Sequence, residues 1–258
     1  MLKDEFYIVM EYCDNRDALS YLKKIRREES TQVWLRAVLH LCVGVCDAMR
    51  FLHNRGFTHR DITACNILVQ GDRAMLADLG LARRDTDVID VDTDYMPQNH
   101  SLYAPPEVIQ NPLAYTKGSD VFCFGIALWE MLMLRRWSID NVRDRPEALS
   151  MLDQYPLFFK NIVDQCWHEE DLFRPTFEEL LREFVYQSQQ EWSAYREVLR
   201  EHSLEGSDAP VSLNCTSSSD LRSFRVQSFS AADIVENSLY LRPESRPTPS
   251  PEHSLHYY

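Results

Sequence analysis

Residues 121–134 read VFCFGIALWEMLML, a run whose only charged member is Glu130. A helix that is apolar on every face has to be enclosed on every face, so this segment demands other elements packed around it. It is too short to cross a bilayer, which takes about 20 residues, and its carboxylate argues the same way. The run reads as the central helix of a protein core. With 45% hydrophobic residues among 258, the chain can build one sizeable core, hence one main domain.

Partners for that helix are legible on both sides of it. Ser30 or Thr31 can cap a long helix with Trp34, Val38, Leu41, Val45, Ala48 and Leu52 on one face, at spacings that alternate between three and four. Gly56 ends it. Residues 6–10 (FYIVM) are β-branched and aromatic and read as a strand, which breaks at Cys13-Asp14-Asn15 before a short helix over 18–24. Strands at 67–69 and 75–77 flank a Gln70-Gly71-Asp72 turn, a hairpin signal. Further helices are expected from Ser119, over 146–153, over 158–166, and from Thr176 into the 190s. Residues 85–100 form a polar, acidic loop of the length that usually carries function. After about Ser203 the text turns to Ser, Pro and scattered charge, which cannot bury enough apolar surface to fold, so a disordered tail is expected.

A formal net charge of -13 argues against nucleic-acid or anionic-membrane partners, whose phosphates it would repel. The seven cysteines include no CxxC pair. Cys42 and Cys46 fall one helical turn apart inside the apolar stripe and read as small core residues of a reducing compartment. The first residues, MLKDEFYIVMEYC, place acids before the apolar run and offer no cleavage site, so they do not read as a signal peptide.

The chemistry lies between the long helix and the segment after the hairpin. His59-Arg60-Asp61 precedes Asn66, and Asp78-Leu79-Gly80 follows the second strand. One carboxylate to orient or deprotonate a hydroxyl, with an amide and a second carboxylate for magnesium, suits a metal-bound phosphate. Taken singly, each string is equally a set of turn formers.

Together and in this order the strings carry a resemblance. HRDITACNILV resembles the catalytic loop of protein kinases and ADLGLAR the magnesium-binding segment after it. YAPPEVI is similar to the segment that closes the activation loop, SDVFCFGIALWEM to the buried helix of the large lobe, and CWHEEDLFRPTFEEL to its closing segment in tyrosine and tyrosine-like kinases. IVMEYCDNRDALSYL resembles the hinge between lobes. The resemblance covers roughly residues 6–183. It implies an α+β protein-kinase fold, seen here as a mostly α-helical C-terminal lobe with short β-hairpins and a disordered tail. Its expected parts are hinge strand and first helix over 1–28, C-lobe over 29–200 and tail over 201–258.

The family's roles map onto this chain as follows. Asp61 would accept the substrate hydroxyl's proton, with Arg60 and His59 beside it, and Asn66 and Asp78 would hold Mg2+ on the phosphates of ATP. The backbone of Glu11 to Cys13, after the gatekeeper Met10, would contact adenine over a floor formed by Leu68. His59 and Leu79 would stack in the column that aligns the site. Asp120 would accept backbone N–H bonds from the catalytic loop, and Glu107 and Arg174 would form a buried ion pair. Tyr95 would be a phosphosite answered by Arg60 and Arg83. Tyr240 would be a second phosphosite, a docking point on the tail for phosphotyrosine-binding domains. A protein substrate is implied, no transmembrane segment is expected, and the location would be cytoplasmic, or the intracellular part of a receptor if more sequence precedes Met1.

Several departures accompany the match. The glycine-rich phosphate loop, the strand lysine and its glutamate partner have no counterpart, so the smaller lobe is expected to be missing and the isolated chain to transfer no phosphate. Leu79 replaces the usual Phe, and Pro105 the usual Ala before Pro106-Glu107. Tyrosine kinases place an arginine two or four residues beyond the catalytic Asp, where serine/threonine kinases have a lysine at the first of these positions; here Thr63 and Cys65 stand there. The surrounding loop still resembles the tyrosine-kinase form. An alternative reading is a non-catalytic kinase-like lobe that binds or regulates another protein. A phosphatase reading finds no C-x₅-R nucleophile loop.

Overall fold

The structure, a computed structural model, describes residues 10–87, 102–138 and 144–204. The expected strand over 6–10, apart from Met10, most of the acidic loop with Tyr95, and the tail with Tyr240 lie outside the described residues. What is described belongs to one compact unit, Met1–Glu205.

Asp17 caps α1 (Ala18–Glu28) by accepting from Ser20 N, and Ser30 caps α2 (Thr31–Asn54) by accepting from Val33 N. Each oxygen satisfies a donor that the first helical turn leaves orphaned. α2 buries Trp34, Val38, Leu41, Val45 and Leu52 as the stripe requires. Its last turns rotate the face by one residue: Met49 is fully buried and Ala48 only half. Cys42 and Cys46 are buried thiols whose pKa burial pushes far up, so they pack as small apolar groups.

Gly56 takes a positive φ of 73° and turns the chain into β1 (Phe57–Thr58). Next come β2 (Ile67–Gln70) and β3 (Arg73–Leu76), an antiparallel hairpin in which Ile67 faces Leu76 and Gln70 faces Arg73. β4 (Arg83–Arg84) returns to pair with β1. α3 (Pro106–Gln110) is a short helix with Pro at its start. α4 (Lys117–Met133) begins in a capping box between Thr116 and Ser119, two residues before the expected start. Its residues from Ser119 to Leu132 are all buried, as its apolar sequence demands.

Beyond it, α5 (Arg145–Ser150) runs into a 3₁₀ turn (Met151–Gln154), followed by α6 (Leu157–Cys166), a second 3₁₀ turn (Asp171–Phe173) and α7 (Phe177–Leu204). α2 lies against α7, α1 and β3, and α4 against α6. Aromatic contacts tie these elements together: Phe124 meets Phe177 at 5.5 Å and Phe184 at 6.0 Å edge-to-face, and Trp137 meets Trp129 edge-to-face and Trp167 tilted, both at 5.1 Å. The result is a helical body carrying two small β-ladders, the form expected of a kinase C-lobe.

Candidate active site

Asp120, in the first turn of α4, is completely buried. A buried carboxylate must be fully hydrogen-bonded, and four donors surround this one. Its Oδ2 accepts from His59 N at 2.9 Å and lies 2.9 Å from His53 Nε2; its Oδ1 accepts from Arg60 N at 2.9 Å and Tyr115 OH at 2.7 Å. Arg60 has a φ of 70°, a left-handed conformation that costs a side-chain-bearing residue about 1–2 kcal/mol. The Asp120 bond holds it there. The Arg60 guanidinium lies over the Tyr115 ring, 5.1 Å from its centre.

The strained turn delivers Asp61, which is half-buried. Its N–H donates to His59 Nδ1 at 3.3 Å, so that nitrogen carries no proton. His59 is fully buried, and burial lowers its pKa against the opposing pull of Asp120 and Asp61; it sits there neutral. Asn66 closes the loop from the other side. Its Nδ2 donates to Asp61 Oδ2 at 2.7 Å and Asp61 O at 2.9 Å, which leaves the amide oxygen as a metal-capable donor. Ala77 N donates to Asn66 O at 2.8 Å, so the hairpin sets Asp78 one residue from Asn66's backbone partner. Asp78 is also left-handed, φ 62°, with Oδ1 accepting from Gly80 N at 3.2 Å.

The segment that carries Glu11 and Cys13 is tied to the hairpin edge. Asn15 N donates to Val69 O at 3.1 Å, Val69 N to Arg16 O at 2.8 Å, and Asp17 bridges Leu68. Ile67 and Val69 turn into the core, while Leu68 stays half-exposed on the opposite face. Glu11 is exposed and Cys13 half-buried, its thiol raised by burial and then by the charges of Glu11 and Asp14.

Farther out, Arg174 grips Glu107 bidentately, Nη1 to Oε1 and Nη2 to Oε2, both 2.8 Å. Ser119 Oγ adds a third bond at 2.7 Å. Burial would raise the Glu107 carboxyl, but the Arg174 and Ser119 bonds outweigh it and hold the pKa below the ordinary value.

Sequence reasoning missed a second buried carboxylate. Glu130, in the middle of the core, accepts from Ala64 N at 3.2 Å, Tyr103 OH at 2.7 Å and Trp137 N at 2.8 Å. Its signal was in plain view, one acid in an apolar helix, which calls for partners. Ala64 and Tyr103 lie far away in sequence, Trp137 only seven residues on, and none of them had a signal of its own. Tyr103 also helps line a small pocket with Arg60, Asp61, Ile62, Ala104, Pro105, Tyr115 and Cys123. This small recess lies beside Asp61.

Among the described residues, no three His, Cys, Asp or Glu side chains gather into a metal cage. Magnesium does not need one. It binds through one or two protein oxygens, substrate phosphates and water, and the donors of Asn66 and Asp78 fit that pattern.

A carboxylate bonded by an amide and a left-handed turn held on a buried helix form the centre of this site. The chain belongs to the protein tyrosine and serine/threonine kinase family, whose model matches residues 1–184. It is 34% identical over 193 residues to the mouse cytoplasmic tyrosine-protein kinase BMX, covering 69% of this chain and 28% of that protein. To the human tyrosine-protein kinase TXK it is 29% identical over 189 residues, covering 68% and 34% respectively. The fruit-fly insulin-like receptor matches at 28% over 211 residues, 67% of this chain and 9% of the receptor. The chain thus spans about a third or less of the relatives it matches. Among the described residues, no helix is long and apolar enough to cross a membrane.

Proposed function

We propose that this lobe is the catalytic part of an enzyme that transfers the γ-phosphate of ATP to a tyrosine hydroxyl of a protein substrate, with Asp61 as the general base. The observation that carries this is the Asn66 amide seated on the Asp61 carboxylate at 2.7 Å. It fixes the direction in which Asp61 presents its charge, and base catalysis depends on that geometry first. The acceptor hydroxyl enters beside Tyr103 and gives its proton to Asp61. Asn66 and Asp78 would hold Mg2+, which would supply charge neutralisation at the phosphates. The backbone of Glu11 to Cys13 binds adenine over Leu68, and His59 stays neutral beneath the loop. Asp120 keeps the loop in its strained turn, while the Glu107–Arg174 pair anchors the substrate side. Tyrosine preference is supported by the names of the relatives and by the CW…RPTF segment. The same reading puts the protein on the cytoplasmic side and makes Tyr95 and Tyr240 candidate phosphosites, the latter for phosphotyrosine-binding domains.

Phosphoamino-acid analysis of an acceptor offering both tyrosine and serine, after reaction with the native protein, tests the specificity. Phosphotyrosine is expected; phosphoserine alone would overturn the tyrosine reading.

A further inference from the structure

The catalytic loop carries Thr63 and Cys65, both uncharged, where the kinase resemblance leads one to expect a cation. The fold nevertheless brings a guanidinium to that place. It belongs to Arg136, just past the end of α4, whose Nη1 contacts Cys65 Sγ and whose Nε lies 3.4 Å from Glu130 Oε1. The backbone leaves it little choice of position. Leu134 ends α4 in the left-handed region at φ 52°, and Arg135 N bonds back to Glu130 O at 3.3 Å. Trp137 is pinned on both sides, its N–H to Glu130 Oε1 at 2.8 Å and its ring N–H to Leu102 O at 3.0 Å.

Arg136 is not required to satisfy Glu130, which already has three neutral donors in Ala64 N, Tyr103 OH and Trp137 N. Its Nε pairs with the buried Glu130, yet 48% of its side chain stays exposed and its Nη1 reaches the catalytic loop at Cys65. It is also joined to the acceptor pocket: Tyr103 OH shares Glu130 Oε1 with it, and Tyr103 and Asp61 line the same recess. At Tyr103, burial and then Glu130 push the phenol pKa up, while Arg136 works the other way.

We propose that Arg136 is a positioning residue that supplies, from the loop after α4, the positive charge the catalytic loop lacks at Cys65, and that phosphoryl transfer by this protein depends on it. This rests on the kinase reading above. Phosphoryl transfer leans on fixed charge more than on covalent help, so a loop without its own cation needs one from elsewhere.

A charge series tests it. Arg136→Lys keeps the charge and should retain most of the turnover on a tyrosine acceptor. In the native protein, Arg136→Leu should lower turnover on a tyrosine acceptor about tenfold. Adding Cys65→Arg to that variant should restore most of the loss, because the charge then comes from the loop itself. Turnover of Arg136→Leu within about twofold of wild type, or no rescue by Cys65→Arg, would overturn the dependence. Asp61→Asn separates the two proposals: if it abolishes turnover and Arg136→Leu does not, only this inference falls; if it changes nothing, the kinase reading falls and this inference with it.

Discussion

His59 and Glu107 both make the lobe sensitive to acid, in separate pH windows. The folded His59 has a pKa below 6.5 because burial disfavours its charge. The unfolded chain therefore binds a proton that the folded chain refuses, and stability is present above pH 6.5 and falls as pH drops below it. Glu107 is depressed below 4.5, so its contribution is present above that value and is lost as pH falls further. Urea unfolding from pH 8 to 3.5 should show two successive losses. His59→Gln should flatten the first, with a slope change of at most about 1.4 kcal/mol per pH unit, and Glu107→Gln the second. At neutral pH, Arg174→Ala should cost about 3–5 kcal/mol, since it strands a partly buried carboxylate that Ser119 alone cannot satisfy; a cost under about 1 kcal/mol would mean that water replaces the pair.

At the scale of elements, close helix contact depends on a missing side chain. A Cβ at Gly125 of α4 would sit 2.7 Å from Cys166 Cβ and 2.8 Å from Trp167 Nε1, where α6 ends. Gly125→Ala should therefore destabilise by about 1–3 kcal/mol through overpacking, although alanine is the better helix former. A gain in melting temperature would show that α4 and α6 slide apart freely. The helices were legible in the sequence because amphipathic or wholly apolar runs have few alternatives. The hairpin was legible because Gly71 marks its turn at φ 62°. The β1–β4 ladder and α3 were not foreseen: a two-residue ladder and a five-residue helix show no period. They exist because Asp85 N bonds to Gly56 O at 2.8 Å and Ser119 Oγ to Glu107 Oε1 at 2.7 Å. Both are contacts between segments distant in sequence.

For the molecule as a whole, the order of short strings along the chain pointed to the family more surely than any one of them. The structure adds the geometry that order cannot contain. Asp120 gathers four donors from three segments, and Glu130 gathers its partners from the catalytic loop, the segment before α3 and the turn after α4. Only the first was foreseen, because the family motif points to Asp120, whereas Glu130 was visible merely as a charge out of place. The central claim is that these two buried carboxylates of α4 position one base, Asp61, for phosphate transfer. The most direct measurement is turnover of ATP γ-phosphate onto a tyrosine acceptor by the native protein and its Asp61→Asn variant, with nucleotide affinity measured beside it. A general base predicts a loss of about 10²–10⁴-fold in turnover for Asp61→Asn with Mg-ATP affinity retained; an Asp61→Asn protein that transfers phosphate as fast as the wild type would contradict the claim.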